Sequence, residues 1–219
     1  MKSLAFFIIA CLAMSCTSKT KKAEAEMSIF SVNDIEVTIG ADGTPKRLAG
    51  DLMKIKKQKN TISDIFKLLQ RESHFKLDNP KKELHLLKNE QDELGFQHLT
   101  FGRMYKGINI WGDELKFHIN NKNELYLFDG DYQPSLPSNF SISPKLTNRQ
   151  AEETALKTLS LDYAQKEETK LFIFPSDRGC KTTWRVIVGK TQLSPDQWEC
   201  LVDSESGDIL YKSNLIRSH

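Results

Sequence analysis

None of the short motifs that assemble a catalytic centre occurs in this sequence. The histidines are His74, His85, His98, His118 and His219, and no two are four apart. The helical His-Glu-x-x-His arrangement, which binds zinc beside a general base, is therefore absent. There is no Gly-x-Ser-x-Gly elbow and no glycine loop shaped to cradle phosphate. Cysteine is scarce, with 4 in all, and Cys180 and Cys200 lack the spacing of a redox pair. Charge of neither sign dominates: 31 basic against 29 acidic residues leave +2, too balanced for a nucleic-acid or anionic-surface binder. Beyond the N-terminus no apolar run approaches the roughly 20 residues of a membrane-spanning helix. The expectation is a protein that performs no reaction of its own, with no cofactor and no resident metal.

What is present suits a folded body. Hydrophobic residues at 39% and charged residues at 27% lie in the ordinary globular range, and 219 residues allow one large domain or two small ones. The first 15 residues read as a signal peptide: Lys2, then an apolar run from Leu4 to Met14 that is too short to span a bilayer. Ala13-Met14-Ser15-Cys16 resembles a bacterial lipobox, which makes Cys16 the expected lipidated residue, ahead of the rival Cys11. Acyl chains would hold the protein to a membrane through buried methylenes, about 0.8 kcal/mol each, with no other membrane contact. The expected location is the cell envelope, at the periplasmic or surface face of an outer membrane. Residues 16–27 are small, charged and without periodicity, and read as a flexible tether. An exported chain with Cys180 and Cys200 invites a disulfide. Against it, a hairpin over 183–203 sets Cys200 opposite Ile187 or Val188, on an apolar face where a free thiol packs well.

Two helix-and-strand patterns follow. In the first, over 28–133, a short alternation (Ile35, Val37, Ile39) precedes a helix expected over Thr61–Phe75, with Thr61 or Ser63 as cap and Ile65, Leu68 and Leu69 as its apolar stripe. The stretch from Leu94 to Tyr132 then reads as three antiparallel strands, turned at Gly107 and at Asn120–Asn123. His98 and His118 fall on adjacent strands and can face each other, though two imidazoles alone make a poor metal site. Asp113, Glu114, Asp129 and Asp131 read as solvated carboxylates at a sheet edge. Phe101, Tyr105 and Trp111 read as core or interface aromatics, the core being the favoured place. Residues 134–145 hold Pro134, Pro137 and Pro144 among serines, the composition of a linker. In 146–219, Thr147 caps a second helix carrying Ala151 and Ala155, and strands are expected at 171–174, 183–190, 197–203 and 208–213.

One ordered run carries a family likeness: Phe101, Tyr105-Lys106-Gly107, Ile108–Ile110, Trp111-Gly112-Asp113-Glu114-Leu115 and Phe117-His118. It resembles the FTP domain that opens the propeptides of thermolysin-like and fungalysin metallopeptidases. Gly43-Thr44-Pro45 and Ala49-Gly50-Asp51-Leu52 are similar to the opening of the same propeptides. Trp198, Val202-Asp203 and Gly207-Asp208-Ile209-Leu210 resemble the closing pattern of the PepSY domain that follows FTP there, with Ser204 and Ser206 departing from the usual Ala and Thr. The resemblance implies an α+β fold of two cystatin-like units, each a helix on a curved antiparallel sheet.

In those zymogens a peptidase domain follows the propeptide, which assists its folding and blocks its cleft. The resemblance therefore implies a lipid-anchored protein that binds and inhibits a thermolysin-like zinc metallopeptidase in trans. Its C-terminal segment Asn214, Leu215, Ile216, Arg217, Ser218 and His219 is the expected partner-binding tail, with Leu215 and Ile216 suited to an apolar specificity pocket. An intermolecular folding chaperone, a non-inhibitory binding lipoprotein and the front part of a zymogen are the other readings.

Overall fold

The computed structural model describes residues 27–56, 58–133, 136, 140–160, 165–176, 179–191 and 194–216. It is an α+β protein made mostly of strands. In chain order these are β1 Ser28–Val32, β2 Ile35–Ile39, β3 Pro45–Lys54, helix α1 Thr61–Arg71, a helical turn α2 Pro80–Glu83, β4 Leu84–Gln91, β5 Gln97–Tyr105, β6 Ile108–Ile119 and β7 Glu124–Asp131. Helix α3 Asn148–Thr158, β8 Gln165–Ser176, β9 Gly179–Thr191, β10 Ser194–Asp203 and β11 Ile209–Asn214 complete it.

The expected hairpins form where the turn residues put them. Lys106 and Gly107 both hold positive φ (50° and 81°), the two-residue turn whose twist matches its strands, and Tyr105 pairs directly with Ile108. At the next turn Asn120 Oδ1 accepts the N–H groups of Lys122 and Glu124, while Asn123 sits at φ 62°. Thr147 closes a full capping box with Gln150, as the helix start required. Helix α1 ends four residues earlier than expected, at Arg71. Its N-terminus has no side-chain cap, and Ser73–Phe75 forms a separate 3₁₀ turn stopped by Lys76 in the left-handed region.

The strands join in one sheet of 11, ordered β1-β2-β3-β7-β6-β8-β9-β10-β11, with β4 and β5 paired beside β6. Where the sequence suggested a separate sheet under each helix, the ladder is continuous. Two parallel pairs, Asn109–Phe172 and Ile110–Ile173, carry it from β6 to β8. The buried cores remain separate. The larger packs Ile65, Leu68 and Leu69 of α1 against Leu99, Phe101, Leu115, Phe117, Leu125 and Phe128. The smaller sets Ala151 and Ala155 of α3 on Val186, Val188, Cys200 and Val202. Tyr132, 2% exposed, closes the larger core, its hydroxyl donating to the Phe75 carbonyl at 3.0 Å.

Candidate functional site

The region that joins the two cores is built by an irregularity in β6. Gly102 pairs with Glu114, and Met104 pairs with Asn109, so Arg103 alone on β5 faces Ile110, Trp111, Gly112 and Asp113 on β6. Ile110 pairs with Ile173 of β8 instead, and the Trp111 ring meets Phe174 on the same strand. Gly112, at φ 81°, supplies the backbone turn that a side chain would resist.

The bulge throws Trp111 out of the first core. Its ring lies against Tyr211 (centroids 4.7 Å apart) and Phe174 (5.4 Å), and its indole N–H donates to Glu199 at 3.4 Å. Glu199 is 6% exposed and accepts from Arg185 as well, which donates onward to Glu168 at 3.0 Å and covers the Phe172 ring. Of the three aromatics expected in the core, only Phe101 is there, fully buried; Tyr105 and Trp111 are half-buried.

The same bulge carries Asp113 inward. Expected at a solvated edge, it is 4% exposed. Arg103 lies 3.8 Å away and also pairs with Glu83 at 3.3 Å, and the Gln133 N–H donates to Asp113 at 3.1 Å. Burial pushes the Asp113 carboxyl up to about 7, and the Gln133 and Arg103 contacts only partly oppose it. Between this cluster and strands β8 and β9 lies a cleft of about 380 Å³, lined by Arg103, Ile110, Trp111, Asp113, Phe172 and Arg185. Nothing local in the sequence marks Arg103, Glu199 or Arg185, because each acquires its role from strands far apart in the chain. Gly112 beside a tryptophan is the one sequence signal of the bulge.

The C-terminal tail starts inside the sheet. Asn214 is the last residue of β11 and pairs with Trp198, and the Leu215 N–H still donates to the Gln197 carbonyl at 2.6 Å. Leu215 is 39% exposed, and the Ile216 N–H donates to the Asn214 side chain at 3.0 Å. Arg217, Ser218, His219 and the lipidation candidate Cys16 lie outside the described residues, as do Pro134 and Pro137 of the proline-rich stretch. At that stretch's far end Lys145 and Leu146 both donate to the Ser204 carbonyl, and Trp184 donates to Leu146, tying the lead into α3 to the second core.

The cysteines do not pair. Cys180 and Cys200 are free thiols, Cys200 buried opposite Val186 and Cys180 opposite Pro175 across a different hairpin. Burial raises the pKa of both thiols, and the nearby Asp113 carboxyl adds to it at Cys180. His98 and His118 do face each other across β5 and β6. Among the described residues no group of three or more metal-ligating side chains comes together, and no helix is long and apolar enough to cross a membrane.

Comparison with known proteins places this geometry. Residues 82–132 match the Fungalysin/Thermolysin Propeptide Motif, FTP, a span that holds β5, β6 and the whole bulge. The chain is 24% identical over 147 residues to a bacillolysin of Bacillus amyloliquefaciens, covering 63% of this chain and 28% of that protein. It is 26% identical over 181 residues to a thermolysin of Alicyclobacillus acidocaldarius, covering 78% and 33%. The chain thus spans about a third of the length of the curated relatives it matches, and the shared part includes the propeptide motif. Among solved structures the Bacillus megaterium YpeB C-terminal domain aligns over 90% of this chain and 92% of that one, with 15% identity and a TM-score of 0.47.

Proposed function

We propose that this chain acts as a propeptide-like protein that binds a thermolysin-like zinc metallopeptidase in trans and inhibits it, held to the cell envelope by lipid on Cys16. The observation that carries the reading is the FTP match over 82–132, on a sequence without a zinc-binding His-Glu-x-x-His of its own. The partner supplies the zinc and the general base; this chain supplies a preorganised surface and a short segment for the cleft. Asn214 ends β11, so the segment offered to a cleft begins with the side chains of Leu215, 39% exposed, and Ile216.

Mixing the full chain with exported peptidases that carry His-Glu-x-x-His tests the proposal. Inhibition that saturates at one-to-one stoichiometry is the expected result; peptidases unaffected at micromolar inhibitor would overturn it. If the tail fills the main specificity pocket, truncation after Asn214 weakens inhibition tenfold or more, the value of one buried apolar side chain at about 1.5–3 kcal/mol. The truncation keeps the Asn214–Trp198 pairing, so the fold is expected to survive it. Equal inhibition by truncated and full-length protein moves the contact to the sheet surfaces around Trp111 or Trp184. Replacing Cys16 by Ala should move the protein from the membrane fraction to the soluble one.

A further inference from the structure

His98 and His118 are in direct polar contact across the sheet. Their Nδ1 atoms are 2.7 Å apart, directly across the β5–β6 ladder on the face away from the core. The outer nitrogens meet carboxylates: His98 Nε2 lies 3.2 Å from Asp92, and His118 Nε2 lies 3.6 Å from Asp129. Arg47 holds the other oxygen of Asp129 at 2.7 Å. Glu90 on β4 stands across from His98, Lys116 precedes His118 by one turn of the pleat, and the Tyr126 ring packs 6.4 Å from His118.

A nitrogen–nitrogen contact of 2.7 Å needs one N–H and one lone pair. With both rings neutral, His98 can donate from Nε2 to Asp92 and accept at Nδ1 from His118. One added proton fits as well, because it goes to His118 Nε2 beside Asp129 and leaves the inner bond intact. A second added proton puts N–H on both inner nitrogens, and the contact has no lone pair left. We propose that this pair is an acid-release latch on β5–β6, closed while the two rings share at most one extra proton and opened when both become imidazolium. Consistent with this, burial and the facing His98 hold His118 below the ordinary imidazole range, outweighing Asp129.

Opening separates the rows Gln97–Gly102 and Glu114–Ile119 on their outer face, within the segment that matches the propeptide motif. The latch stands on its own geometry and is independent of the inhibitory reading. Its sign follows from the second proton: the two imidazoles of the unfolded chain take it independently, and the closed pair has no place for it. The stabilisation is therefore full above the ordinary imidazole range and is lost as pH falls below it.

The test compares the full chain with His98→Gln and with the His98→Gln/His118→Gln pair. Between pH 7.5 and 5 the folding equilibrium constant of the native sequence should fall at least tenfold more than that of the double variant; the carboxylates and His74, His85 and His219 are common to both. By NMR, His118 should titrate at higher pH in His98→Gln, where no second imidazole faces it. Parallel stability profiles, or a His118 titration unchanged by His98→Gln, would overturn the latch. If the double variant does not fold, titration of the native chain decides: two independent, ordinary imidazole curves sink it, and two coupled steps support it.

Discussion

A carboxyl group sealed beside an arginine is not necessarily an ion pair at every pH, and Asp113 shows why. It is 4% exposed, its nearest cation lies 3.8 Å away, and that arginine already serves Glu83. Desolvation therefore outweighs the attraction, and the group titrates at about 7 instead of its ordinary 3.8. The folded state binds this proton more tightly than the unfolded chain does. Its stabilising contribution is complete below pH 4 and is lost as pH rises towards about 7. Asp113→Asn, which keeps an acceptor for the Gln133 N–H, should raise stability at pH 8 by about 1–3 kcal/mol and flatten the profile between pH 4 and 7. Urea unfolding across that range checks it; a variant less stable than the native chain at pH 8 would show that Arg103 needs the charge. The sign is opposite to that of His118, so the two are separable by variant even though their pH ranges meet. Of the two, only the histidine facing was legible in the sequence, because strand alternation and turn length set it locally. Asp113 reads as a surface residue because the bulge that buries it is made by partners on other strands.

At the scale of elements, the sequence was most legible where a turn or cap is self-contained. Lys106-Gly107, Asn120–Asn123 and the Thr147–Gln150 box each satisfy their own backbone groups within a few residues. The two-core arrangement also followed from the apolar stripes of α1 and α3. It was least legible at the bulge of β6, where alternation inverts over Ile110–Asp113 and the aromatic expected inside is turned outward. Gly112 tests whether conformation or space governs that inversion. A Cβ there meets nothing within 4 Å, so a substitution is opposed by φ alone. Gly112→Ala should cost about 1–2 kcal/mol, the ordinary penalty for an L-residue in the left-handed region, with the sheet unchanged. A neutral substitution in thermal unfolding would mean that β6 takes a different path through the bulge. Cys200 carries a parallel lesson: its alternation with Trp198 and Val202 identified a buried thiol, and the strand register sets it opposite Val186, away from Cys180.

At the scale of the whole molecule, two cores with no shared buried residue are held by a narrow join. The parallel contact spans two residue pairs, 63 residues apart in sequence at Asn109–Phe172, so no local pattern announces it. Backbone bonds over so short a span contribute only about 1 kcal/mol each, which leaves the side chains to fix the angle between the halves. Trp111 is the largest of them: it belongs to neither core, yet it touches β8 through Phe174, β10 through Glu199 and β11 through Tyr211. Trp111→Ala should destabilise the join by about 1–3 kcal/mol, less than the loss of a fully buried tryptophan. Hydrogen exchange locates the effect: amides of Asn109, Ile110, Phe172 and Ile173 should lose protection, while those of Leu99–Phe101 and Val186–Val188 keep theirs. Trp111→Phe should restore most of that protection, because the ring contacts remain and only the bond to Glu199 is lost. Uniform loss over both cores would instead mean that the halves unfold as one unit, and that a partner meets a single rigid surface rather than two bodies whose angle Trp111 sets.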